Sequence, residues 1–146
     1  MDNSQIADGA RDNETSPMTH SILFVDDEEN VLESMKREFR LLPYTLLFAL
    51  SGPKALDILR TNSVSVIVSD MRMPMMDGVT FLQKAKKAQP KTVRIILSGH
   101  ADMQSVLRSV ESGDIWRFLV KPWEHADLLE TVRKAVEHHE ALLTEP

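Results

Sequence analysis

The stretch Val66-Ile-Val-Ser-Asp70-Met-Arg-Met-Pro74-Met-Met-Asp77-Gly78 decides how the chain is read. A β-branched apolar run suited to a buried strand stops at an aspartate, and a proline-containing loop and an Asp-Gly pair able to open a helix follow. Asp70 is therefore expected at the exposed C-terminal end of a buried strand. In an open parallel sheet that edge is where ligands bind, which makes the carboxylate a functional candidate. Its alternative role is to end the strand and cap a turn.

Toward the N-terminus, Ser21-Ile-Leu-Phe-Val25 is a second continuous apolar run, and it too ends in acid, Asp26-Asp27-Glu28-Glu29. Val31, Met35, Phe39 and Leu42 then recur at helical spacing as far as Pro43, and Tyr44 to Ala49 reads as a short strand. Ser51 is an N-cap and Pro53 an early-helix proline for a helix through Thr61, with Ala55, Leu56 and Leu59 inward. The central strand covers Val64 to Ser69.

Toward the C-terminus, Asp77 caps a helix to Gln89 whose inner face holds Val79, Phe81, Leu82 and Ala85, and Pro90 closes it. Thr92 to Leu97 reads as the fourth strand, followed by Ser98-Gly99-His100. Asp102 is expected to cap a helix to Ser112 on Val106, Leu107 and Val110, with Gly113 as its stop. Ile115 to Val120 is the fifth strand, ending in Lys121-Pro122, and the last helix runs from Glu124 to Leu143 on Leu128, Val132, Val136 and Leu143.

Strands alternating with helices over short loops predict an α/β fold, a doubly wound five-stranded parallel sheet with five helices on both faces. The flavodoxin-like order 2-1-3-4-5 places strands 1 and 3 side by side, so Asp26, Asp27 and Asp70 converge on one crevice. The 146 residues suit one domain, expected over residues 20–143 behind a flexible tail at residues 1–19, with no output domain in the chain. A formal charge of -5 argues against direct nucleic-acid binding, and the absence of cysteine excludes thiolate chemistry. No run approaches the roughly 18 to 20 apolar residues of a membrane span, and residues 1–19 lack the basic-then-apolar layout expected of a signal peptide. A cytoplasmic protein without membrane contact is expected.

Three converging carboxylates repel one another unless a cation or a shared proton compensates. Hard oxygen ligands at a water-accessible site suit Mg²⁺, with Mn²⁺ as a substitute, and the backbone carbonyl of Arg72 can join them. Strands 4 and 5 bring a hydroxyl, Ser98, and a cation, Lys121, to the same edge. Acceptor carboxylate, divalent metal, lysine and hydroxyl are the parts for phosphoryl transfer to an aspartate.

With these parts at the ends of four strands, residues 21 to about 141 resemble the receiver domain of two-component response regulators. The resemblance rests on Val25-Asp26-Asp27, on Asp70-Met-Arg-Met-Pro-Met-Met-Asp-Gly, on Ser98-Gly99 and on Lys121-Pro122. It implies that Asp70 is the phosphoacceptor for a phosphohistidine on a histidine kinase or histidine phosphotransfer protein. Asp26 and Asp27 would hold Mg²⁺ with the Arg72 carbonyl, Asp27 the more directly. Lys121 would pair with Asp70 and then with the phosphoryl group, across a cis bond to Pro122. Ser98 would bond a phosphoryl oxygen and move on activation. The aromatic switch position falls on Phe118, which lacks the tyrosine hydroxyl, so any inward rotation there is driven by packing. Arg72 and His100 occupy rim positions that influence phosphoryl lifetime in the family. Phosphorylation would remodel the fourth helix, fifth strand and fifth helix, where Glu111, Trp116, Arg117 and Trp123 are expected to serve a homodimer or an output. The domain would be a signalling element that assists its own phosphorylation and dephosphorylation, not an enzyme.

Other readings stand beside these. A cap explains Asp77 fully, and loop packing explains Met71, Met73, Met75 and Met76, which have no cysteine or clustered histidine beside them. His138 and His139 are adjacent on a helix and point to different faces. Trp116 and Trp123 are either partner anchors or packed side chains. A phosphorylation-independent interaction module would keep the fold but has no need of intact acids and Lys121. A hydrolase or flavin protein would need a general acid-base partner or a Gly-rich loop after strand 1, where Asp26 to Glu29 would repel a phosphate. The wording Gly-Asp-Ile-Trp-Arg-Phe-Leu-Val-Lys-Pro-Trp at 113–123 looks like receivers joined to HD-type phosphodiesterase or transcriptional outputs.

Overall fold

Apolar runs with no polar alternation need cover on both faces, and a parallel sheet between helices provides it. In the computed structural model, which describes residues 19–145, the runs form His20–Val25 (β1), Tyr44–Ala49 (β2), Val66–Asp70 (β3), Val93–Ser98 (β4) and Arg117–Val120 (β5). All pair in parallel in the order β2-β1-β3-β4-β5. The expected tail lies, apart from Thr19, outside the described residues.

Four helices cross over between successive strands, Glu29–Phe39 (α1), Gly52–Thr61 (α2), Gly78–Ala88 (α3) and Met103–Glu111 (α4), and His125–Leu143 (α5) follows the last strand. Because side chains alternate along a strand, the sheet splits the core in two. Leu23, Val25, Ile67 and Ile96 meet α2, α3 and α4 through Ala55, Leu59, Phe81, Leu82 and Val106. Ile22, Phe24, Val68 and Ile95 meet α1 and α5 through Leu32, Met35, Phe39, Leu128 and Val132. No helix among the described residues is long and apolar enough to cross a membrane.

The caps follow the sequence reading at two helices and depart from it at a third. The Ser51 hydroxyl accepts from the Lys54 N–H (3.3 Å), and the Asp77 carboxylate from the Thr80 N–H (2.8 Å). Asp102, expected as the cap of α4, makes no side-chain cap bond. A one-turn 3-10 helix, His100–Asp102, precedes α4, and the Asp102 carboxylate is taken by the Arg72 guanidinium instead. Leu107 is a further correction: it is 49% exposed, because only Val106 and Ser109 of α4 are buried against the sheet. Leu42 and Leu143 are also exposed, Leu42 because α1 ends at Phe39 and Leu143 because it lies in the last turn of α5. Gly113 ends α4 region as expected, with φ +84°, a left-handed conformation that suits glycine.

Candidate functional site

Parallel register carries the three acids to one edge. Val25 stands opposite Ser69 and Asp70 opposite Leu97, so Asp26 and Asp27 follow β1 where β3 ends, at the C-terminal side of the sheet. One carboxylate oxygen from each of Asp26, Asp27 and Asp70 lies within 4.8 Å of the others. Asp26 and Asp70 are buried and Asp27 is exposed. The cluster thus has a dry floor and a wet rim.

Burial sets the electrostatics. It pushes the Asp26 carboxyl up from 3.8 to about 6; the Asp70 and Asp27 charges also raise it, while the Glu28 N–H bond and Lys121 oppose the rise. The Glu28 N–H donates to Asp26 Oδ1 at 2.9 Å. Lys121 Nζ donates to Asp70 Oδ1, closing the cluster with one positive charge against three carboxylates. Such a donor set of carboxylate oxygens, short of positive charge, fits a hard divalent cation.

A raised carboxyl pKa makes a stability prediction for the metal-free protein. Asp26 favours the fold when protonated, fully so below its ordinary value near 3.8, and that advantage is lost as pH rises through about 6. Asp26→Asn is therefore expected to be more stable than wild type near pH 8, by about 2 kcal/mol, and to flatten the decline between roughly pH 4 and 7. Denaturant midpoints in chelator at both ends of that range check it. A less stable asparagine variant near pH 8 would contradict the buried-charge account.

The other expected residues fall on the same edge in part. Ser98, at the end of β4, is fully buried and its hydroxyl donates to the Gly99 carbonyl at 3.0 Å. The Lys121 N–H donates to the Ser98 carbonyl at 2.9 Å, which ties the β5 end to the β4 end. The Lys121-Pro122 bond is cis, as expected. Phe118 is half-buried and packs against the cluster under α2 to α4. Arg72 is different: its side chain is 72% exposed and its Nε donates to Asp102 Oδ2 at 2.9 Å. The sequence signal for that pair is only the opposite charges in the loops after two adjacent strands. His100 is exposed at the rim.

Loop packing holds for three of the four methionines and not for Met75. Met71 and Met73 are buried and Met76 half-buried, while Met75 is 83% exposed with φ 71°. Trp123 packs on the α1 and α5 side of the core. Trp116 stacks on His138 with centroids 5.3 Å apart and carries the Arg117 guanidinium 4.2 Å above its ring. His139 turns the other way, its Nδ1 2.7 Å from the Lys91 carbonyl, so the two histidines do face apart. A groove of about 650 Å³ between residues 59–65 and 89–92 is lined by no acidic side chain among the described residues and lies at the opposite edge of the sheet from the acids.

Comparison with known proteins agrees with this geometry. The response regulator receiver domain family matches residues 22–133. The hydrogenase transcriptional regulatory protein HoxA of Cupriavidus necator is 36% identical over 121 residues, 80% of this chain and 24% of that protein. The chain spans about a quarter of the length of such curated relatives. Among solved structures, the signal receiver domain of an HD domain-containing protein from Pseudomonas fluorescens is 35% identical, covers 85% of this chain and 99% of its own, and superposes with TM-score 0.80. An adenylate cyclase structure from Rhodopirellula baltica is 30% identical, with 87% and 94% covered and TM-score 0.84. A family match of this extent, on a sheet of the order 2-1-3-4-5, establishes that the chain belongs to the response regulator receiver domains of two-component systems.

Proposed function

We propose that this receiver accepts a phosphoryl group on Asp70 from the phosphohistidine of a sensor kinase or a histidine phosphotransfer protein. The observation that carries the proposal is the convergence of Asp26, Asp27 and Asp70 within 4.8 Å, with Lys121 bonded to Asp70. An Asp70 oxygen attacks the phosphorus, the P–O bond forms as the P–N bond breaks, and the imidazole leaves with a proton from solvent. Asp26, Asp27, Asp70 and the Arg72 carbonyl are the groups to hold Mg²⁺ or Mn²⁺, which when bound supplies charge neutralisation at the phosphoryl oxygens. Lys121 offers its ammonium to the same oxygens once Asp70 is esterified. The Ser98 hydroxyl, now spent on a neighbouring carbonyl, is free to exchange it for a phosphoryl oxygen.

Readout follows from what moves. Ser98 ends β4 and Phe118 lies on β5, so rearrangement at either reaches α4 and α5. The exposed Leu107 and the Arg117–Trp116–His138 stack give that face the apolar and cationic groups that suit homodimer or output contacts. Unchanged solution mass and unchanged cross-links across α4–β5–α5 on phosphorylation would remove this role.

The test of the acceptor is intact mass after incubation with acetyl phosphate, with and without Mg²⁺, for wild type and Asp70→Ala. One phosphoryl adduct that requires Mg²⁺ and is lost in the variant is the expected result. No adduct on wild type, together with no Mg²⁺ binding, would return the chain to a phosphorylation-independent interaction module.

A further inference from the structure

Arg72 follows Asp70 by two residues, and its side chain is committed elsewhere. Nε is 2.9 Å from Asp102 Oδ2 and Nη2 is 3.3 Å from Asp102 Oδ1, a two-pronged pair between the loop after β3 and the turn before α4. The two partners are unequal: Arg72 is 72% exposed and Asp102 only 18%. Asp102 is also fixed by its backbone, because its N–H donates to the Gly99 carbonyl at 3.2 Å, one residue beyond Ser98. Arg72, Asp102 and Asp77 with Met71, Met73 and Pro74 line an open recess of about 490 Å³ beside the acceptor loop. The guanidinium therefore has room to leave.

Magnitudes decide where it goes. Both partners offer the guanidinium charge-assisted, two-pronged bonds, but the exposed pair with Asp102 holds by about 0 to 1 kcal/mol, and the phosphoryl group presents roughly -1.5 to -2 charges against the carboxylate's one. Resting on the phosphoacceptor reading above, we propose that Asp102 is a positioning residue that withholds Arg72 from Asp70, and that phosphorylation transfers Arg72 from Asp102 to the phosphoryl oxygens. The transfer has two consequences. The guanidinium covers the phosphorus against water, whose attack would form a P–O bond, break the bond to Asp70 and release inorganic phosphate. It also frees the turn at His100–Asp102, so the modification is reported at the start of α4 without a tyrosine hydroxyl on β5.

The experiment is the lifetime of the adduct, followed by intact mass after removal of acetyl phosphate. It compares wild type, Asp102→Asn, Arg72→Ala, the double variant and Asp102→Glu, with Asp102→Ser as a second way to release the arginine. Asp102→Asn and Asp102→Ser are expected to lengthen the lifetime about two- to fivefold, the scale of one exposed ion pair. Arg72→Ala is expected to shorten it, the double variant to match Arg72→Ala, and Asp102→Glu to return toward wild type. Added salt should move wild type toward Asp102→Asn, because an exposed pair is screened. An equal Asp102→Asn effect with and without Arg72, or a shorter lifetime, overturns the latch while leaving Asp70 as acceptor. Absence of any adduct on wild type overturns the acceptor reading, and the latch with it.

Discussion

Gly78→Ala is expected to destabilise the fold by about 3 kcal/mol or more, and to impair phosphoryl acceptance as well, although helix propensity alone favours alanine by up to about 1 kcal/mol. Gly78 is the first residue of α3, and its N–H donates to the Met71 carbonyl at 2.8 Å. A β-carbon there would sit 2.3 Å from the carbonyl oxygen of Asp70, 3.0 Å from the Met71 α-carbon and 3.0 Å from the Ile96 δ-carbon. Two of those three are backbone, on the acceptor and its neighbour, so relief requires the acceptor loop or α3 to move. Close-packed interiors do not give way cheaply, and the strain falls on the acceptor strand. Gly99→Ala is the control, because nothing lies within 4 Å of its added carbon. Denaturant midpoints and adduct yield for both variants test the argument. A Gly78→Ala protein of wild-type stability would mean that α3 docks less tightly on β3 than the geometry states.

That glycine marks how far a single sequence carries. The strands that end at or just before Asp26, Asp70, Ser98 and Lys121 are legible because covered parallel strands are continuously apolar, and a charge or hydroxyl at the end of such a run is conspicuous. Alternation of strand and helix then leaves few topologies, and the order 2-1-3-4-5 was among them. Periodicity is weaker at Leu107, where the helical stripe predicts three inward apolar residues and the sheet accepts fewer. Asp102 shows the other limit. Its position before an apolar helix satisfies the capping rule, yet a guanidinium thirty residues away in sequence takes the carboxylate. Local rules rank partners within a few residues, and they are silent about a charge that arrives from the next loop.

Arg94 lay beyond those rules altogether, and Arg94→Ala is expected to cost about 3 to 4 kcal/mol, a loss on the scale of breaking a buried charged network. A cation in the second position of a central strand reads as a blemish, but it is buried at 8% exposure and fully engaged. Its Nε donates to the Asp114 carbonyl at 2.7 Å, Nη1 to the Thr92 carbonyl at 2.6 Å, and Nη2 to the Gly113 carbonyl at 3.2 Å. Burial pushes its pKa down and Asp114 opposes that, yet an arginine stays charged over any working pH. The planar fork thus joins the entry of β4 to the loop between α4 and β5, where Gly113 has turned carbonyls inward. Removing it leaves the buried Thr92 carbonyl without this donor and takes the tie away from the part-buried Asp114 and Gly113 carbonyls. Arg94→Lys, with one ammonium for a fork of carbonyls, should recover only part of the loss. Arg117→Ala, which removes an exposed guanidinium from the Trp116 face, should cost about 0.5 to 1 kcal/mol at most. Urea unfolding of the three variants ranks them, with equal slopes if only the native state is affected. Because α4 and β5 belong to the proposed output face, Arg94→Ala should also weaken any phosphorylation-dependent self-association while Asp70 still accepts phosphate. An Arg94→Ala protein as stable as Arg117→Ala would show that the carbonyls at the α4–β5 turn are held by other donors.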